Sequence, residues 1–502
     1  MSDQPLGTTA SLDVFILTFN AAKEQINPYV FALHLRNAFA KNASTLPEII
    51  VLSLQEMAPL EHSFIGSYMI NPYFRSWVTA INLAASPPAA GLGQDQACYH
   101  DEQAYREEYR DGFQDASRNQ EEPRDPPYTL VATRNVGMTG ILLFARDPGA
   151  LDDLKSAEVG FGAGDMANKG AVGLRVLFSK HDAEGRKRQT ELTFVATHLA
   201  AHEWNLERRN KNWESIVSGL LFEDPKKLLG GESTYPTPRI SNGDDERDVL
   251  LSRDANEKAL HEITIYKPGS HLFVAGDLNY RISKTAPTNK SVFPHVDPKS
   301  PNYFKQFLAL DQLLLEKAAG RTLHGLTESS ILFPPTYKLQ LIGGEEARAH
   351  QNGTPPAHDV VFWKWAPHRW PGWCDRVLYL DIPPWVSQSS TGPDAVIDTL
   401  AYDALPPVRT SDHRAVFLRL AVPVIEPSVL APSPELSASG SNDPRVKLPY
   451  PVDFEAWDHR ARVKKWEWVI GWSMLVSRSK QGIAIFTTLF LVGLGAWWLR
   501  SW

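Results

Sequence analysis

The chain has 502 residues, 43% of them hydrophobic and 22% charged, with a formal net charge of -7 at pH 7; this suits a globular protein with a large core and excludes a polycation that holds anionic partners by its overall field. Its two cysteines, Cys98 and Cys374, lie far apart with no metal-ligand spacing, which excludes a disulfide framework or structural zinc site and fits a reducing compartment. The N-terminal MSDQPLGTTASLD lacks a basic stretch followed by an apolar one, so no secretory leader is expected.

Residues 1–10 are expected to be disordered. After them, residues 11–20 (SLDVFILTFN) read as a buried strand ending in Asn20, and residues 48–56 (EIIVLSLQE) as another ending in Gln55 and Glu56. Runs with strand character follow at 136–145 and 171–178. The run 191–198 ends in His198, and 271–279 (HLFVAGDLN) ends in Asp277 and Asn279. Helical spacing marks 204–222 and 303–319, the latter closed by Gly320. Asp375 opens the strand-like DRVLYL, and Ser411-Asp412-His413 precedes AVFLRLAV. Three polar, Gly/Pro-rich stretches, about 86–128, 223–256 and 343–358, predict surface insertions in a catalytic domain spanning 11–422.

The C-terminal region changes character. Residues 423–453 are Pro/Ser-rich and predict a free linker. Residues 454–480 combine Trp457, Trp466, Trp468 and Trp472 with Arg460, Arg462, Lys464 and Lys465, a mixture suited to an interfacial helix on anionic lipid or to an ordinary solvated helix. Residues 481–499 are uncharged and long enough for a bilayer core, so a transmembrane anchor is expected, with the preceding basic residues placing the rest of the chain in the cytosol.

Several strands thus end in a carboxylate, amide or imidazole, and such strand ends converge on one site in sheet enzymes. Glu56 with Asn20 suits a hard, oxygen-seeking cation such as Mg²⁺. Asp277 and Asn279, two apart in extended chain, share one side. Asp277 can position or deprotonate water while Asn279 holds a phosphoryl oxygen. His413 beside Asp412, with Asp375 as a distant orienting acid, fits a positioned imidazole. His198 closes its strand as a further donor. Singly, each has a plainer use: a solvated acid for Glu56, an Asx turn for Asp277 and Asn279.

In this order, Asn20, Gln55-Glu56, His198, Gly276-Asp277-Leu278-Asn279 and Ser411-Asp412-His413 resemble the signature of the endonuclease/exonuclease/phosphatase superfamily. Asn168-Lys169-Gly170-Ala171-Val172, Pro334-Pro335-Thr336-Tyr337-Lys338 and Pro371-Gly372-Trp373-Cys374-Asp375-Arg376-Val377-Leu378 resemble segments of its inositol polyphosphate 5-phosphatase branch. The resemblance implies a DNase I-like, four-layer α/β sandwich with two central mixed β-sheets flanked by helices. It implies Mg²⁺-dependent removal of the 5-phosphate from phosphoinositides, chiefly the 4,5-bisphosphate lipid.

The roles it implies are Glu56, Asn20 and Asp412 toward the metal and Asp277, His413, Asn279, His198 and Asp375 in catalysis. Lys169, Asn168, Tyr337, Lys338 and Arg376 fall to the substrate. The layout resembles tail-anchored members on the endoplasmic reticulum. Rival readings are a same-superfamily sphingomyelinase or nuclease, and a silent phosphoinositide-binding adaptor. A nuclease would need a basic face for the duplex backbone, so no nucleic-acid partner is expected.

Overall fold

The computed structural model describes residues 10–86, 126–181, 185–229, 255–343, 361–388, 395–433 and 441–500. The N-terminal segment and most of each expected insertion lie outside the described residues, as do 434–440 of the expected linker.

The first sheet is built from β1 (Ser11–Asn20), β2 (Ile49–Gln55), β3 (Thr129–Val136), β4 (Thr139–Ala145), β13 (Asp398–Ala404) and β14 (Val416–Pro423), in the order β13-β14-β1-β2-β4-β3. The second contains β5 (Leu151–Gly160), β6 (Gly170–His181), β7 (Lys187–His198), β8 (Ser270–Asp277), β9 (Leu326–Thr327) and β12 (Asp375–Leu380), in the order β5-β6-β7-β8-β12-β9. A short ribbon pairs β10 (Leu339–Leu341) with β11 (Trp363–Trp365). Each large sheet has one parallel pair, β1 with β2 and β7 with β8, and otherwise antiparallel neighbours. The expected two mixed sheets are therefore present.

Strands covered on both faces read as continuous apolar runs, which is why β1, β2 and β8 were visible in sequence. The inner faces meet through Val14, Ile16, Val51 and Leu143 from one sheet and Leu174, Phe194, Ala275 and Val377 from the other. The outer face of the first sheet, with Phe15, Leu17 and Leu52, packs on α1 (Pro28–Phe39) and α3 (Asn71–Ala85) through Phe31, Leu35 and Trp77. The outer face of the second, with Val195, Val274 and Leu378, packs on α4 (Leu206–Gly219) through Trp213, Ile216 and Val217. Helices thus cover both outer faces. Two short helices matter below: α2 (Leu60–Ile65), soon after β2, and α5 (Gln312–Ala318).

The C-terminal region departs from expectation. Residues 441–453 pack on the second sheet's outer layer instead of forming a free linker. Arg445 is buried and donates to the Asp381 carbonyl at 2.9 Å, Leu448 and Tyr450 rest on the apolar cluster, and Asp453 N–H reaches the Ser218 carbonyl at 2.9 Å. The aromatic and basic stretch forms α6 (Ala456–Arg478), docked on the domain by one face. Ser479 breaks the helix with an extended backbone (φ -78, ψ 144), and α7 (Lys480–Arg500) follows. A helix therefore stands where the anchor was expected, although some of its side chains lie outside the described residues. Among the described residues, no helix is long and apolar enough to cross a membrane.

Candidate active site

Strand register assembles the site. The parallel β1–β2 pair sets Asn20 beside Gln55, with Glu56 next in the chain. The parallel β7–β8 pair sets His198 beside Asp277, and antiparallel β12 sets Asp375 opposite Asp277. Two strand ends from the first sheet and three from the second therefore meet at one edge of the sandwich. Gly276 permits this approach, since a Cβ there would lie 2.0 Å from the Thr197 carbonyl oxygen. Gly276→Ala should separate β7 from β8 and misplace His198, lowering both the thermal midpoint and activity; a variant with wild-type values for both would contradict this.

Glu56 (φ 43) and Asn279 (φ 56) adopt the left-handed backbone that side-chain-bearing residues seldom take. Such conformations persist only where the surroundings enforce them, and they concentrate at working sites. Here they turn the chain sharply as it leaves β2 and β8.

Asp277 is the centre. Its Oδ2 accepts from Asn20 Nδ2 at 3.0 Å and lies 3.2 Å from His198 Nε2 and 3.9 Å from His413 Nε2. Its Oδ1 accepts from the Asn279 N–H at 3.1 Å. Behind His413, Nδ1 lies 2.9 Å from Asp375 Oδ2, which also accepts from Thr336 Oγ1 at 2.7 Å. Asp277, His413 and Asp375 thus form a buried carboxylate–imidazole–carboxylate chain.

The charges follow from this arrangement. Burial raises the Asp277 carboxyl, but His198 and His413 outweigh it and hold it well below the usual carboxylate range. Burial lowers His413, but Asp375 and Asp277 overcome that and raise it to about 9. His198 is lowered by burial and then by Lys169, which favours the neutral ring. With its proton affinity already met by neighbours, Asp277 is a weak base, and its geometry suits orienting a water better than deprotonating one.

Glu56 lies at the same edge, 4.0 Å from Lys169 Nζ and 3.4 Å from Lys23 Nζ. Burial raises it, but His198, Lys169 and Lys23 leave it lowered overall and ionised. Lys169 also contacts His198. Lys338 pairs with Asp412, whose Oδ1 is 4.0 Å from His413 Nε2. The Tyr337 ring lies 4.4 Å from the His413 ring. Asp412 therefore anchors a rim lysine. The Asn168 Oδ1 is buried without a hydrogen-bond partner.

Three expected roles change. Asp412, expected toward the metal, is engaged by Lys338 instead. Arg376 does not reach the site. It is fully buried and bonds Asp311 at 3.0 Å, at the start of α5, and Glu328 at 2.5 Å. Successive strand residues face opposite ways, so β12 cannot send both Asp375 and Arg376 to the same pocket. Asn279 is less free than expected. Its Nδ2 donates to the Leu199 carbonyl at 3.1 Å and its Oδ1 accepts from Arg281, leaving one N–H for a ligand.

Sequence reading missed three supports. Thr336 fixes Asp375. Ser411 Oγ donates to the Asn20 carbonyl at 2.6 Å and accepts from the His413 N–H at 3.0 Å, tying the His413 turn to β1. Arg281 is buried, holds Asn279, and lies 4.3 Å over the Tyr337 ring. Thr336 and Ser411 stood inside the motifs and Arg281 just beyond one, but nothing in their spacing assigned them partners. A cavity of about 580 Å³ lined by Glu48, Arg146, Phe178 and Lys180 lies at the opposite strand ends, away from this chemistry.

Two places can be tested for a cation. Asp277, Asp375 and His413 offer ligand atoms within 4.8 Å of one another. However, metal binding needs a deprotonated imidazole, and these two acids hold a proton on His413. Glu56 fits better, being a partly exposed, ionised hard-oxygen donor. Asn20 is nearby, but its Oδ1 already accepts from the Ala22 N–H at 3.1 Å, leaving one lone pair.

The family model for endonuclease/exonuclease/phosphatase family 2 matches residues 17–419. The chain belongs to this family. Among curated relatives, it is 26% identical over 273 residues to a type II inositol polyphosphate 5-phosphatase 14 of Arabidopsis thaliana, covering 53% of this chain and 20% of that one. It is 27% identical over 366 residues to a type II inositol 1,4,5-trisphosphate 5-phosphatase of Mus musculus, covering 70% and 29%. The family member described here thus spans less than a third of either relative. A solved inositol polyphosphate 5-phosphatase domain of SPsynaptojanin, in complex with inositol (1,4)-bisphosphate and calcium, shares 19% identity over 84% of this chain and 89% of that one, with a TM-score of 0.47.

Proposed function

We propose that this chain is a Mg²⁺-dependent phosphoric monoester hydrolase. It removes the 5-phosphate of phosphoinositides, chiefly converting the 4,5-bisphosphate lipid to the 4-phosphate. The observation that carries the reading is Asp277 Oδ2 standing among Asn20, His198 and His413, with Glu56 and three rim groups, Lys169, Tyr337 and Lys338, around it. Relatives named as inositol polyphosphate 5-phosphatases support the substrate class.

In this reading Glu56 and Asn20 would hold Mg²⁺, which when bound would supply charge neutralisation at the phosphoryl group. Asp277 orients the attacking water. His413, protonated and aimed by Asp375, donates to a phosphoryl oxygen as charge develops. Neutral His198 and the spare Asn279 N–H offer further hydrogen bonds. Lys169, Lys338 and Tyr337 grip the neighbouring phosphates. Phosphate release from a panel of phosphoinositides, with Mg²⁺ or with a chelator, tests this. Metal-dependent release from the 5-phosphorylated members is expected, and equal release without metal would defeat the metal assignment.

The pH profile follows from His413. Its protonated form prevails below about 9, so kcat/KM should fall as pH rises through that value. Asp375→Asn removes the first charge that holds the proton, so the falling limb should move to lower pH. A limb that stays in place would show that another group titrates there.

The reading places the domain on a cytosolic membrane face of the endoplasmic reticulum, with α7 as the anchor. The uncharged run within 481–499 supports it. Carbonate extraction of the full chain should leave it in the membrane fraction, and deletion of residues 480–502 should release it.

A further inference from the structure

The segment joining β5 to β6 delivers Asn168 and Lys169 to the active site, with Ala167 fully buried within it. This segment is held from outside the family-matched region. The Ala167 N–H donates to Glu467 Oε1 on α6 at 2.6 Å. Glu467 is itself buried, and its carboxylate is gripped by Arg460 Nη1 and Nη2 at 2.8 and 2.7 Å. Arg460 Nε continues to Glu158 on β5 at 3.1 Å, and His459 Nε2 lies 3.1 Å from Asp165.

The same helix also meets the chain that follows Glu56. A Cβ at Gly471 would lie 3.0–3.1 Å from Phe64 Cβ, the Glu61 carbonyl oxygen and Ile65 Cγ1, all on α2. Arg478 pairs with Glu61. One helix therefore touches the segment bearing Lys169, in the second sheet, and the segment following Glu56, in the first. Lys169 and Glu56 face each other across this junction at 4.0 Å.

Besides the apolar Ala456 and Val463, α6 buries the charged Glu467. Burying a carboxylate is costly unless it is paired and hydrogen-bonded. Glu467 meets both conditions by aiming a charge-assisted bond, of the strong class, at the backbone two residues before Lys169.

We propose that Glu467 is a positioning residue, which sets the reach of Lys169 toward the substrate phosphate through the Ala167 N–H, with Arg460 holding it in place. The proposal rests on the phosphatase reading for its substrate. It also means that the catalytic unit extends through α6. A domain cut near residue 422, which a free linker would permit, should be impaired.

The test uses the full chain, with inositol 1,4,5-trisphosphate and Mg²⁺ as the soluble probe and amide hydrogen exchange over residues 161–170 as a second readout. Glu467→Ala should raise KM roughly tenfold, change kcat less, and speed exchange in that segment. Glu467→Gln keeps an acceptor for Ala167 and should restore most of the KM. Ser473→Ala, exposed on the same helix, should match wild type in both readouts. Gly471→Ile wedges α6 off α2 without removing a polar group and should also raise KM. Unchanged KM and exchange in Glu467→Ala overturns the proposal. So does a loss of thermal stability and kcat that Glu467→Gln shares. If the wild type releases no phosphate, the functional reading fails, while the exchange measurement still decides whether Glu467 holds the segment.

Discussion

Asp277→Ala should lower phosphate release by roughly 10²–10⁴-fold, the range for removing a positioned acid–base group, while the protein stays folded. Four groups converge on this carboxylate: Asn20, His198, His413 and the Asn279 N–H. Without it, no carboxylate stands between the two imidazoles to orient an attacking water, and His413 loses one of the charges that keep it protonated. Asp277→Asn separates these effects, because it retains an acceptor while removing the charge. It should still lose most activity, and its high-pH limb should shift downward. Release at the wild-type rate from either variant would remove Asp277 from the mechanism. Circular dichroism and a thermal midpoint close to wild type are needed for the result to be read as chemistry.

Arg376→Ala should lower stability by about 3–5 kcal/mol, a large share of the roughly 5–15 kcal/mol typical of a folded domain. The guanidinium is buried completely and joins Asp311 and Glu328, which are themselves buried to 0% and 3% exposure. Removing it strands two carboxylates in the interior, where an unpaired charge costs far more than a lost surface contact. The urea midpoint is the readout. A substrate-binding arginine would behave differently, with an unchanged midpoint and a raised KM, and that outcome would return Arg376 to the pocket.

The contrast between Asp375 and Arg376 shows how far the sequence could be read. Both stand in one motif, and its resemblance to the phosphatase segment assigned both to the site. The pleat of β12 admits only one of them. Asn20, Glu56, His198, Asp277 and His413 were legible because each lies at or just beyond the end of an apolar strand, or at a turn leading into one. Local pattern alone therefore placed each at an edge of a sheet. Thr336 and Ser411 were not, because their roles depend on bonds to residues distant in sequence, Asp375 and Asn20; Arg281 was not, because its bonds to nearby Asn279 depend on the left-handed turn that ends β8.

The C-terminal region gives the sharper case. Its aromatic and basic composition described a helix with an outward face, and Trp466 and Trp468 are indeed exposed, at 66% and 54%. Composition could not show that Glu467, between them, turns inward to Ala167. By itself, the sequence determined the apolar strands, the polar groups at their ends and their order along the chain, since these depend on residue type and short-range periodicity. The tertiary structure decided which groups share a pocket, which charge is buried as a pair, and where α6 docks. Register and long-range packing set those outcomes, and neither is written in the spacing of neighbouring residues.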